Sequence, residues 1–121
     1  MITIEGRLPS LNEYISAMNK NRYIGNKMKQ EYTNLCCFFA KNGGYRKQFE
    51  KPVFIEFYWY EKNKKRDKDN IVFARKFILD GLVKASIIRN DGWAHVHGFA
   101  DNFAVDKKNP RIEIEIKEVD T

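Results

Sequence analysis

The stretch on which the fold turns runs from Lys51 to Ser86. It reads KPVFIEFYWYEK (Lys51–Lys62), then NKKRDKDN (Asn63–Asn70), then IVFARKFILDGLVKAS (Ile71–Ser86). The first part is dense in β-branched and aromatic side chains, the composition of a pleated, half-buried strand. The last part, taken from Asp69, predicts a helix capped by Asp69 or Asn70 and running to Ser86. Between them, Asp67 and Asp69 stand two residues apart inside a cluster of cations.

Outward from this stretch the chain alternates between strands and helices. MITIEGRLP reads as a strand that breaks at Gly6 and Pro9, and PRIEIEIKEV as one with clean period-two alternation. AHVHGFADNFAVD reads as a further strand, with an irregularity suggested by Gly98 and Asn102. SLNEYISAMNKN places Ser10 three residues before Glu13, a capping-box spacing that opens a short helix. RYIGNKMKQEYTNLCCFFAKN predicts a turn near Gly25 and then a helix to about Lys41, stopped by GGY. Neither an internal repeat nor a linker is evident. The expectation is one α+β domain over residues 1–121, a small mixed sheet of about four strands with two to three helices.

Composition narrows the partners. The chain has 121 residues, 43% of them hydrophobic, a formal net charge of +6 and a pI near 9.3. That balance favours a polyanion, nucleic acid first. No run of 18 apolar residues and no signal-peptide pattern is present, so neither a membrane span nor export is expected. Cys36 and Cys37 are adjacent and have no second pair, which excludes a zinc knuckle and suits a reducing cytoplasm.

If RDKD continues the strand in extended form, Asp67 and Asp69 point the same way and Lys68 the other. Two carboxylates on one side repel each other unless a cation joins them. Mg²⁺ suits the pair because it takes one or two carboxylates and leaves other positions to water and phosphate. The flanking Lys64, Lys65, Arg66 and Lys68 would hold the phosphate backbone beside the metal. The plain alternative is a charged loop with weak local ion pairs.

The helix that follows sharpens this. At about 100° per residue, Lys76 falls near −20° and Asp80 near +20° from Asp69, with Ile71, Ile78 and Leu82 on the opposite side. The front of the helix thus carries Asp69, Lys76 and Asp80 in a narrow line, Asp80 supporting the other two. Phe73 on that front is unexplained, and Arg75 projects toward the apolar side. Asp91, in SIIRNDGW, has two readings. It makes an Asp-Gly turn, or the helix returns the chain so that Asp91 completes a metal site.

RDKDN, KFILDGL and NDGW together resemble the RusA family of Holliday junction resolvases, and LPSLNEYI resembles that family's N-terminal strand and Pro-Ser-x-Asn turn. The resemblance spans nearly the whole chain and implies a RusA-like fold. It implies a Mg²⁺-dependent endodeoxyribonuclease, with Mn²⁺ as a substitute, that acts as a homodimer on branched DNA. Such proteins act in recombination and repair and are often carried by phages and prophages. A cytoplasmic location follows, in a bacterial host or for a phage-encoded protein. By resemblance, Asp67, Asp69 and Asp91 are the metal ligands and Lys76 the essential lysine. Two departures stand out. The family's lysine follows the second acid by four residues, where this chain has Phe73. Asn90 stands where an acid often precedes the last aspartate.

The remaining basic charge reads as DNA-binding: Lys20, Arg22, Lys27 and Lys29 around an interleaved Tyr23, with Lys65, Arg66 and Asn70 near the acids. An EF-hand is excluded, since Ile71 and Val72 fall where a ligand and a glycine are needed. NGGY lacks the Lys of a phosphate-binding loop. His95 and His97 share a strand face but lack a third ligand. The rival reading is a protein that binds branched DNA without cutting it.

Overall fold

The computed structural model describes residues 1–120. The elements are β1 (Ile2–Glu5), α1 (Leu11–Lys20), α2 (Arg22–Lys41), β2 (Val53–Glu61), α3 (Lys68–Val72), α4 (Arg75–Lys84), β3 (Val96–Val105) and β4 (Arg111–Glu118). The strands form one mixed sheet in the order β1-β4-β2-β3. Only β2 and β3 run parallel; the other pairs are antiparallel. This is the small α+β fold with a four-stranded mixed sheet that was expected.

Alternation along the strands decides which face is covered. Val53, Ile55, Phe57 and Trp59 of β2 are buried, as are Ile2 and Ile4 of β1 and Ile112, Ile114 and Ile116 of β4. Cross-strand registers put all of them on one face. They meet Leu8, Cys36, Ala40, Ile71, Phe77, Ile78 and Leu82 in a single core, so the helices cover that face alone. Each such side chain contributes about 1.5–3 kcal/mol by leaving water. No helix is long and apolar enough to cross a membrane.

α1 opens with the capping box its sequence predicts: Glu13 N donates to Ser10 Oγ at 3.2 Å, and Ser10 N donates to Glu13 Oε1 at 3.3 Å. The turn expected near Gly25 is absent. α2 begins at Arg22, capped by Asn21, whose Oδ1 accepts from Ile24 N at 2.8 Å. Gly25 lies buried inside α2 because Met18 of α1 packs against it, where a Cβ would collide with the Met18 side chain. The glycine serves helix-to-helix approach here, not a break. Gly81 does the same between α4 and α2, where a Cβ would stand 2.6 Å from Cys36 Cβ.

The helix expected from Asp69 to Ser86 is two pieces. Phe73 and Ala74 keep right-handed dihedrals, but Ala74 N donates to Ile71 O, Lys76 N to Phe73 O and Phe77 N to Ala74 O. These three-residue bonds wind the backbone to about three residues per turn. The N-cap is Asp67 rather than Asp69 or Asn70. Phe73 is thereby turned inward onto Tyr14 and Phe77, at ring separations of 5.3 and 5.7 Å. Arg75 is satisfied internally too: it lies over the Phe99 ring at 5.1 Å and bonds Asp101 Oδ2 at 3.2 Å. Asp101 also accepts from Trp59 Nε1 at 2.9 Å.

The irregularity expected in β3 is a bulge. Val53 pairs with Val96 but Phe54 with Gly98, leaving His97 as the extra residue.

Candidate active site

β2, α3–α4 and β3 form a strand–helix–strand crossover, so the carboxyl ends of β2 and β3 lie side by side. In α/β units the crevice outside those ends is the usual ligand position. Here it is an open cleft of about 880 Å³, lined by Glu61, Lys64, Asp67, Lys68 and Asp69. Ile71 and the Phe103–Val105 end of β3 also line it.

The cleft is shaped by the loop after β2. Glu61 keeps the inward phase of its strand and is buried. A carboxylate there needs a cation, and Arg66 supplies it: Nε donates to Oε1 and Nη2 to Oε2, both at 2.9 Å. Arg66 Nη1 also donates to Leu8 O at 2.9 Å and reaches Glu13 Oε1 at 3.4 Å. The loop is therefore clamped to β2 and to the start of α1. Asn70 adds a second tie, its Oδ1 accepting from Asn12 N at 3.3 Å.

Asp67 is the last extended residue (φ −70°, ψ 153°), and its side chain makes no capping bond. Its carboxylate, like the exposed one of Asp69, lines the cleft. Asp69 Oδ1 accepts only the neighbouring Asn70 N, at 3.0 Å. The two acids share a cleft as expected, but by another route. The strand stops at Glu61, and Asp69 already belongs to the helix. The expected strand alternation of Asp67, Lys68 and Asp69 is thus not what aligns them.

Asp91 meets Lys76. Lys76 Nζ lies 3.2 Å from Asp80 Oδ1 and 3.9 Å from Asp91 Oδ2. The turn carrying Asp91 leads into His95, whose carbonyl accepts from Val53 N, at the opposite end of β2 from Glu61. Asp80 borders a second, smaller cleft between α2 and α4, with Lys29 and Lys84. Among the described residues no three His, Cys, Asp or Glu side chains gather closely enough to hold a metal ion. Two groups stand out: Asp67 with Asp69 in the cleft, and Lys76 between Asp80 and Asp91. Across the tightened backbone at Phe73–Ala74 the 100° wheel that aligned Asp69 with Lys76 does not hold.

A divalent cation fits the first group. Asp67 and Asp69 are hard oxygen donors in an open cleft, and Mg²⁺ is satisfied by one or two carboxylates. Glu61 lines the same cleft but both its oxygens are taken by Arg66.

A protein-family model described as Endodeoxyribonuclease RusA matches residues 6–117. The chain belongs to the RusA endodeoxyribonuclease family. No curated protein matches it. Membership in this family makes it an endonuclease and points to a divalent metal and to branched DNA as the family's substrate.

The residues that the basic charge marked for DNA contact divide in two. Lys20, Arg22, Lys27 and Lys65 are exposed and Lys29 is half-buried. Among the described residues none of the five takes part in an ion pair. Tyr23 between them is 73% exposed, as a stacking ring requires. Arg66 and Asn70, by contrast, spend their hydrogen bonds on the protein itself. Sequence reasoning missed Glu61. Its signal was the strand period, which puts a carboxylate on the core face and so demands a nearby cation.

Proposed function

We propose that this RusA-family chain is a Mg²⁺-dependent endonuclease that resolves four-way DNA junctions. It would hydrolyse one phosphodiester in each of two opposed strands, as a homodimer with one site per strand. The observation that carries this reading is the pair Asp67 and Asp69 in one open cleft rimmed by Lys64 and Lys68. A pure DNA-binding surface gains nothing from carboxylates turned toward phosphates.

Asp67 and Asp69 would hold the metal, with the Arg66–Glu61 clamp fixing the loop that carries them. A Mg²⁺ ion held by these two carboxylates would supply Lewis-acid activation of water and offset of charge on the phosphate. Lys64, Lys65 and Lys68 draw the scissile strand to the cleft, while Arg66 acts through its clamp. Lys76, steadied by Asp80 and Asp91, offers an ammonium to the phosphate or its leaving oxygen. Asp91 acts in this scheme by positioning Lys76. Lys20, Arg22, Lys27, Lys29 and Tyr23 form a second contact with a neighbouring arm of the junction.

The test is a labelled synthetic four-way junction incubated with the protein in Mg²⁺, or in Mn²⁺ as substitute. Paired, symmetric nicks support resolution. Tight binding with no cleavage in either ion would instead establish a non-catalytic binder of branched DNA.

A further inference from the structure

Trp93 is 100% exposed, whereas the other tryptophan, Trp59, is 1% exposed and bonded to Asp101. A large ring left wholly in water is unusual, since tryptophan ordinarily buries most of its area. Trp93 does not sit on a loose loop. Gly92 N donates to Asn90 Oδ1 at 2.9 Å, and Gly92 O accepts from His95 N at 3.1 Å and Val96 N at 3.0 Å. His95 O in turn holds Val53 N at 3.0 Å, so the turn is pinned to the start of β2. The ring is thus presented to solvent from a fixed base.

Its surroundings specify what it meets. Trp93 stands two residues from Asp91, which faces the half-exposed Lys76 ammonium. Its exposed neighbours in sequence are Arg89, Asn90, Asp91, Gly92 and Ala94, none a large apolar group. A protein interface is built around a buried apolar centre, and α2 offers that better, with exposed Leu35 and Phe38 one turn apart. One exposed aromatic ring on a turn that also carries the exposed Arg89, on a protein of net charge +6, is the equipment for stacking on a nucleobase.

We infer that Trp93 is a substrate-contacting residue that stacks on an unpaired base at the branch point, giving preference for branched over linear DNA. Linear duplex keeps its bases stacked on one another, so the ring has no partner there. This rests on branched DNA being the substrate, as proposed above.

Tryptophan emission tests it directly, because Trp59 is shielded and any change on binding reports Trp93. The protein is titrated in EDTA with a four-way junction and with linear duplex of the same sequence. The junction should quench emission and the duplex should not. Trp93→Ala should weaken junction affinity about tenfold, the scale of one base–aromatic stack. Duplex affinity and the unfolding midpoint should stay unchanged, and Trp93→Tyr should restore most of the loss. Unchanged junction affinity in Trp93→Ala overturns the inference. So does emission that shifts blue with protein concentration alone while Trp93→Ala turns monomeric, which would make the ring a protein contact. Quenching by the junction without cutting in Mg²⁺ would instead overturn the proposal of Mg²⁺-dependent resolution and leave this one standing.

Discussion

Arg66 grips Glu61 through two parallel hydrogen bonds of 2.9 Å each, joining the last residue of β2 to the residue before Asp67. Both side chains are largely covered, at 15% and 11% exposure, so neither charge is well served by water if the other is lost. Breaking a buried pair from one side costs about 3–5 kcal/mol, and less where some water reaches it. Arg66→Ala should therefore destabilise the fold by roughly 2–3 kcal/mol in urea unfolding. Strand cutting should fall further than stability does, because Asp67 loses its anchor. A variant as stable as the wild type would mean that the loop is held elsewhere.

Asp69→Asn keeps size and hydrogen bonding but removes one negative charge from the cleft. Junction binding should persist or tighten slightly as repulsion of phosphate falls. Cleavage should drop by about two orders of magnitude or more, the scale of losing a charge-stabilising group. Gel-shift and cleavage assays on one protein preparation separate the two effects. Wild-type cutting speed would remove Asp69 from the site.

Lys76→Met leaves a stem of similar length between Asp80 and Asp91 without the ammonium. The ion pairs are half-exposed, so stability should change by no more than about 1 kcal/mol. Cleavage should fall at least about a hundredfold if the cation meets the phosphate. Equal loss of stability and cutting would make Lys76 structural only.

Cys36 carries a testable pH signature. Burial first, then the neighbouring Cys37 thiol and Asp80 carboxylate, push its thiol up to about 12. The folded state thus holds the proton over a range where the unfolded chain releases it. Its contribution is intact below the ordinary thiol value of 9.0 and is lost as pH rises from there toward about 12. The urea midpoint of the wild type should fall between pH 9 and 10.5 more steeply than that of Cys36→Ala. Alkylation of Cys36 at pH 8 should be slow until the protein unfolds.

The strands were legible because alternation is a short-range signal: β2 and β4 announce their buried faces residue by residue. The capping box at Ser10 and Glu13 was equally local. Gly25 misled because whether a glycine breaks a helix or admits a neighbour depends on Met18, seven residues away and on another helix. The break at Phe73–Ala74 was invisible to a fixed 100° wheel, which left Phe73 on the front and Arg75 toward the apolar side. The acids of Asp67 and Asp69 were legible as a pair. The contact of Asp91 with Lys76 was not, since it depends on how the chain after α4 returns.

The uncovered face of the sheet has a bearing on how DNA can arrive. Cross-strand registers bring Glu5, Glu56, Glu113 and Glu115 onto that face with only Arg111 and Lys117 in balance, on a molecule whose overall charge is +6. A polyanion tumbling against the protein is repelled from this back and drawn to the helical front. Productive encounters therefore begin already half-oriented, and the rotational search for the cleft is correspondingly shortened.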